Sequence, residues 1–352
     1  MSKKVKSTKG KKILISMFIV LVITVLIAGY NFYNKIYLPN ISFSNREQQY
    51  IYIPTGASFS DVVNLLNEKK MLKNAASFEW VAEQMNYKNQ VKPGKYHIRK
   101  KMSNRDLVVL LRSGQQEPVK VTFNNIRTRE QLASIVGVQL EADSSSIMGL
   151  LGNNAFLSKY GFNDTDCMAL FIPNTYEFYW NTSAKQFIER MTKEYKKFWN
   201  ESRRMKATNM GLNQTDVSVI ASIVEQETQK NDEKPVIAGV YINRFKKGWK
   251  LEADPTLVYA AGDFTIQRVL NIHKEIDSPY NTYMNTGLPP GPICLPSIVT
   301  LDAVLNYTRH EYMFFCAKDD FSGYHSFAKS YSEHLINARR FQNELNRRKI
   351  RS

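Results

Sequence analysis

The chain is poor in cysteine and histidine. Its 352 residues include three cysteines, Cys167, Cys294 and Cys316, far apart and without a C-x-x-C pair. That spacing offers no zinc-ligand pattern and allows at most one disulfide. Cys316 lies in the apolar run 312–317 and reads as a buried small hydrophobe rather than a reactive thiol. There is no glycine-rich phosphate loop, no clustered Arg/Lys recognition helix and no RNP-like aromatic strand, so the main signatures of nucleotide and nucleic-acid binding are missing. Internal repeats and low-complexity tracts are missing too. With 43% hydrophobic and 23% charged residues the composition is globular. The length suffices for a sizeable core and suggests two or so domains.

Long apolar runs are also scarce, and the one present is informative. Residues 13–29 read ILISMFIVLVITVLIAG, without a charge. This is near the lower limit for crossing a bilayer, with Tyr30 placed for the interface. Lys3, Lys4, Lys6, Lys9, Lys11 and Lys12 precede it, and the positive-inside rule then predicts a cytoplasmic amino terminus. The alternative is a cleaved signal peptide, but the run is longer than a usual h-region and no A-x-A-like site follows it. The expectation is a basic tail at 1–12, a transmembrane helix at 13–30, and the remainder facing outward from the cytoplasmic membrane. The formal net charge is +16, and 42 basic against 32 acidic residues remain when those six lysines are set aside. A basic body suits an anionic partner: nucleic acid, acidic headgroups or an anionic glycan polymer.

After a polar and aromatic stretch at 31–48, read as a tether, a small mixed module is expected at 49–115. Residues 50–53 suggest a strand, 58–72 and 77–85 helices, Pro93-Gly94 a turn, 95–98 a strand, and 103–111 a helix capped by Ser103 or Asn104. A strand follows at 119–123. The rest, 116–350, reads as mainly helical: 129–137, 144–152, a long helix at 184–204, then 217–229, 235–245, 301–305 and 332–348. Residues 171–176 and most of 250–297 read as loop, and 312–317 as a buried strand. The fold class expected is α+β, with a single N-terminal transmembrane helix and a larger helical and β-containing domain that carries a groove.

The chemistry concentrates in Ala221-Ser222-Ile223-Val224-Glu225-Gln226-Glu227-Thr228. At helical spacing, Val217, Ile220, Ala221 and Val224 share an apolar face. Glu225 falls at its side, in a stripe with Ser218 and Ser222, and Glu227 on the opposite shoulder. A carboxyl at such an edge is open to desolvation, which would let it hold a proton near neutral pH. Periodicity alone does not select one glutamate, and two solvated helix residues are the plainer reading.

Five blocks together resemble a known family: ASIVEQET (221–228), AGVYINRF (238–245), Leu251 with DPTLVY (254–259), SPYNTYMNTGLPPGPI (278–293) and YHSFAKSYSEH (324–334). Their order and spacing are similar to those of the endolytic peptidoglycan transglycosylases, the MltG- or YceG-like family. PNTYEF (173–178) and the PGKYHI module extend the likeness upstream. The resemblance implies cleavage of the β-1,4 bond between N-acetylmuramic acid and N-acetylglucosamine without water, leaving a 1,6-anhydro end. It implies no metal or cofactor, and it names the first glutamate of the block, Glu225, as the single acid and base. One carboxyl suffices because the sugar's own 6-hydroxyl is the nucleophile, unlike the two-carboxylate hydrolases. It also implies peptidoglycan strands as substrate, with peptidoglycan synthases as candidate partners and nucleic acid not among them.

Glu227, Asn243, Arg244, Asp254, Thr256, Tyr280, Asn281 and Tyr283 are the candidate substrate-binding residues. For each, an ordinary structural role stands beside glycan contact: capping or ion pairing for Asn243 and Arg244, turn formation for Asp254-Pro255-Thr256, and packing for the tyrosines and Asn281. Gly287–Gly291 (GLPPG) reads as a stiff architectural loop, and His325 as structural. The chain departs from the family pattern at Glu252-Ala253, at Asn174, and at Cys294-Leu295-Pro296-Ser297, and none of these is expected to touch Glu225. Glu252 is the consequential departure, as a second carboxylate near the acid. The 49–115 module resembles a LysM-like glycan-binding domain, with a plain spacer as the alternative. A non-catalytic wall-binding scaffold, a membrane-tethered nucleic-acid binder and a water-using hydrolase are the competing functions.

Overall fold

The computed structural model describes residues 8–43 and 48–348. Lys3, Lys4 and Lys6 of the expected basic tail, residues 44–47 of the expected tether, and the last two residues of 116–350 lie outside the described residues. The chain divides into two compact units, one of Met1–Val119 with Phe178–Asn181, the other of Lys120–Glu177 with Thr182–Ser352.

The first unit opens with helix α1 (Thr8–Tyr37). Within it Gly10–Tyr37 is long and apolar enough to cross a membrane, and none of its most apolar stretch is buried by protein. At 1.5 Å per residue those 28 residues reach about 42 Å, more than a typical hydrocarbon core. The tether reading at 31–48 is corrected here. The helix runs on to Tyr37, Phe32 meets the Trp80 ring edge-on at 5.4 Å, and Ile41 and Phe43 are buried. A buried amide hub explains the docking. Asn40 Nδ2 donates to Asn104 Oδ1 at 2.7 Å, and Asn104 Nδ2 donates to the Lys35 carbonyl and to Ser77 Oγ.

The module is β1 (Gln48–Ile53), α2 (Phe59–Glu68), α3 (Ala75–Gln84), β2 (Gly94–Arg99) and α4 (Asn104–Ser113). Strands β1 and β2 pair antiparallel, with Ile51 opposite Tyr96 and Ile53 opposite Gly94. Alternation puts Ile51, Ile53, Tyr96 and Ile98 into the core, against Leu66, Phe78 and Leu107. Ser58 and Ser103 each close a capping box with an aspartate three residues on, which fixes where α2 and α4 begin.

Strand β3 (Pro118–Phe123) leads into the second unit through α5 (Arg129–Gly137), α6 (Ser144–Leu151) and the short α7 (Asn154–Leu157). The loop expected at 171–176 is in part strand β4 (Asn174–Tyr179), which pairs with β3. The single helix expected at 184–204 is two, α8 (Ala184–Phe198) and α9 (Glu201–Asn209). Trp199 ends α8 and is fully buried, and the Asn200 side chain caps α9 by accepting from the Arg203 N–H.

Helix α10 (Gln214–Glu227) is the centre of this unit. Asn213 and Asp216 form its capping box. Every residue from Val217 to Val224 is buried, so the expected one-sided apolar face is corrected to burial all round. Ser218 and Ser222 tolerate this because their hydroxyls donate to helix carbonyls, of Gln214 and Val219. Around α10 pack α11 (Lys234–Lys246), α12 (Asp254–Ala261) and α13 (Ile298–Leu305). Strands β5 (Phe314–Ala317) and β6 (His325–Ala328) form a hairpin, and α14 (Tyr331–Arg347) closes the chain. Cys316 on β5 is half-buried rather than buried.

Candidate active site

Both glutamates leave α10 in its last turn, where the buried helix first meets open space. Their surroundings differ sharply. Glu225 Oε2 accepts from Lys234 Nζ at 3.3 Å, from Ser297 Oγ at 2.9 Å, from Ser297 N–H, and from the Thr300 hydroxyl. It therefore sits on the first turn of α13, where helix N–H groups favour an anion. Burial pushes the Glu225 carboxyl up, but the Thr300 hydroxyl, the Lys234 ammonium and Ser297 outweigh it, and its pKa falls below the usual range.

Glu227, the last residue of α10, forms no ion pair among the described residues. Tyr241 of α11 donates to its Oε1 at 2.5 Å. Burial pushes its carboxyl up to about 7; the Tyr241 hydrogen bond opposes this, the Asp254 charge adds to it, and Arg244 opposes it. A carboxyl at that value exchanges its proton near neutrality, which is what a general acid that must later act as base requires.

Glu227 also faces solvent-accessible space. It lines a cavity of about 500 Å³ with Arg127, Asp254, Phe264 and Arg268, and a second of about 260 Å³ with Arg244, Asp254, Tyr283 and Phe314. Glu227 and Asp254 are common to both. The geometry thus separates two residues that periodicity left equal. Glu225 is held as an anion among its own donors, and Glu227 is the near-neutral carboxyl at the cavities.

The other candidates divide. Asp254, exposed at the first turn of α12, accepts from the Tyr283 hydroxyl at 2.7 Å. The turn expected at Asp254-Pro255-Thr256 is this helix start, with proline where its missing N–H is harmless. Tyr283 lines the second cavity with Arg244. Arg244 is itself buried and committed, donating to the Met313 and Leu251 carbonyls and pairing with Glu252 at 3.1 Å. Tyr280 packs on Tyr259 at 4.7 Å and donates to the Thr165 carbonyl.

Asn243, Thr256 and Asn281 do not reach the cavities. Asn243 Nδ2 donates to the His310 and Tyr312 carbonyls. Thr256 is fully buried and bonds Ala253 O and Thr282 Oγ1. Asn281, also fully buried, donates to the Lys274 and Ile276 carbonyls and accepts from Tyr283 N–H. These three shape the loops that carry the site. The expectation for Glu252 is also refined: it lines the second cavity and pairs with Arg244, while the carboxylate that raises Glu227 is Asp254.

The sequence pointed away from Ser297, which lies in one of the departing stretches yet contacts Glu225 directly. Tyr241, Lys234 and Thr300 were missed as well. Tyr241 was visible only as an apolar helix residue within AGVYINRF, fourteen positions from its partner. His325 is structural as expected, with Nδ1 2.8 Å from the buried Glu233.

At the end of α10, then, stand two carboxyls in unlike surroundings, one of them lining both cavities together with Asp254. A YceG-like family model matches residues 51–340, and the chain belongs to that family. A protein of Bacillus subtilis (strain 168) named endolytic murein transglycosylase is 29% identical over 88% of this chain and 89% of its own length. A protein of the same name from Streptococcus pneumoniae (strain D39) is 28% identical over 82% of this chain, which spans 57% of that relative's length. A crystal structure of a yceG-like protein from Listeria monocytogenes matches with a TM-score of 0.55 at 28% identity, covering 82% of this chain and 98% of that one.

Proposed function

We propose that this protein is a membrane-anchored lytic transglycosylase of peptidoglycan in which Glu227 is the general acid and then the base. The observation that carries the reading is the Glu227 carboxyl, held by Tyr241 at the wall shared by two cavities, where burial raises its pKa. The names of the relatives supply the substrate. Protonated Glu227 gives its proton to the glycosidic oxygen as the bond from muramoyl C1 breaks, releasing the N-acetylglucosamine 4-hydroxyl. The Glu227 carboxylate then takes the proton of the muramoyl 6-hydroxyl as that oxygen closes on C1. The 1,6-anhydro ring forms, water is not consumed, and Glu227 ends protonated. Glu225 is a positioning residue that ties the end of α10 to α11 and α13.

With α1 spanning the membrane and the lysine-rich terminus inside, the catalytic unit faces outward, where synthases release new strands. The small module serves as a glycan-binding platform in this reading. Asp254 favours one second reading. As a carboxylate at the same cavities, it would suit a two-carboxylate hydrolase that leaves reducing ends.

The test incubates full-length protein in detergent micelles with purified sacculi and reads strand ends by mass spectrometry. Anhydro ends from the native protein, falling roughly 10²–10⁴-fold in Glu227→Gln, are expected. Reducing ends select the hydrolase. An active Glu227→Gln beside a folded, inactive Glu225→Gln returns the acid to Glu225. Retained binding without any product makes the protein a scaffold.

A further inference from the structure

We propose that the larger cavity recognises a carboxylate on the substrate through Arg127 and Arg268, and so determines which sugar lies on that flank of Glu227. The proposal rests on the reading of this site as a glycan-cleaving one. A chain-like substrate lying in both cavities crosses Glu227 where they meet, so whatever distinguishes the cavities decides which sugar lies on each side of the bond.

They differ in available cation. Arg127 is half-buried and is held by Gln226 Oε1 at 2.9 Å, with its guanidinium 4.9 Å from the centre of the Phe264 ring. Arg268 is exposed. Among the described residues neither forms an ion pair with a carboxylate. A guanidinium presents several donors in a plane and suits a carboxylate. The smaller cavity also contains an arginine, but Arg244 is occupied by Glu252 and three backbone carbonyls. Its remaining lining is largely aromatic, Tyr283, Phe314 and Tyr331 among it, and suits an uncharged sugar. A glycan that alternates acid-bearing and neutral sugars would therefore bind in one polarity, with the acid-bearing sugar on the arginine side. The carboxylate has two sources, the ether-linked acid of the sugar itself or the peptide it carries.

Full-length protein carrying Glu227→Gln is titrated with solubilised peptidoglycan strands of four kinds: intact, intact with carboxylates converted to amides by carbodiimide and ammonia, stripped of peptide by an amidase, and stripped then amidated. Amidation is expected to weaken binding roughly tenfold, and adding Arg127→Gln with Arg268→Gln is expected to abolish that difference. An effect on intact strands alone assigns the peptide carboxylates; an effect on stripped strands alone assigns the ether-linked acid, which is free only once the peptide is removed; an effect on both means that the arginines accept either carboxylate. Arg268→Gln alone, at an exposed side chain, is expected to remove part of the discrimination without disturbing the fold. Equal binding of amidated and unmodified strands overturns the proposal, as does discrimination that survives in the double arginine variant, which would reflect only the basic body. Because the readout is binding, discrimination in a protein whose native form leaves no anhydro ends would keep this proposal and discard the reaction.

Discussion

The Tyr241 hydroxyl donates to Glu227 Oε1 at 2.5 Å, joining the second turn of α11 to the last residue of α10. Burial holds the tyrosine far above its usual pKa, so it stays a neutral donor throughout the working range. The bond holds one carboxyl oxygen in place. It also opposes the burial and the Asp254 charge that raise the Glu227 pKa.

The alkaline limb of the activity profile should report Glu227. In the proposed mechanism its protonated form is the acid, so kcat/KM on defined glycan strands should fall above about pH 7 with the slope of one proton. Tyr241→Phe removes an interaction that lowers the Glu227 pKa and should move the limb to higher pH. Asp254→Asn removes a charge that raises it and should move the limb to lower pH. Shifts of the same sign in both variants would contradict the assignment.

The same carboxyl should weaken the fold at high pH. Its folded pKa of about 7 lies above the ordinary value of 4.5, so its stability contribution is present below about 4.5 and is lost as pH rises through 7. Glu227→Gln should therefore gain on the native protein between those limits, by at most about 3 kcal/mol. Thermal melts at pH 4.5 and pH 8 measure the difference.

Glu225 should behave in the opposite sense. Its lowered pKa gives stability that is present above the ordinary glutamate value and lost as pH falls through the folded one. Glu225→Gln leaves the buried Lys234 ammonium without its counter-charge and should cost about 3–5 kcal/mol. Adding Lys234→Met should recover part of that loss. Denaturant melts of the two single variants and the double variant give the coupling.

Gly291 should not tolerate a side chain. A Cβ there would strike the Thr165 carbonyl, a backbone atom that cannot rotate away. Gly291→Ala should displace the 278–293 loop, lowering the melting temperature and the activity together. Gly149→Ala, with open space around its Cβ position, should leave both unchanged and serves as the control.

The buried amide hub of the first unit gives a check remote from the site. Asn104→Ala strands Asn40 and the Lys35 carbonyl and should cost about 1–3 kcal/mol. It should also loosen the end of α1 from the module, visible as faster amide exchange at 35–43.

Much of this was set locally. Capping residues such as Ser58 and Ser103 sit within three positions of their partners, so the starts of α2 and α4 could be read from the chain, while α10, expected from 217, starts at Gln214 behind its Asn213 cap. The apolar terminal run, the module's alternating strand residues and the five sequence blocks were legible for the same reason. Errors fell where a distant partner decides. Residues 31–43 looked like a tether because Asn104 and Trp80, which hold them, lie tens of positions away. Residues 171–176 looked like a loop because the partner of the strand that begins at Asn174 lies more than fifty positions earlier.

The sequence by itself determined that two glutamates would stand two residues apart at the end of an apolar helix, with tyrosines and an aspartate in neighbouring blocks. The resemblance named Glu225, and only the tertiary structure shows how the surroundings of the two differ. A carboxyl's pKa depends on what surrounds it, and the surroundings of Glu225 and Glu227 come from other elements. Lys234, Ser297 and Thr300 converge on the first, while Tyr241, Asp254 and two cavities meet at the second. Helical periodicity describes one helix and contains none of those neighbours, so what sets the two carboxyls apart belongs to packing.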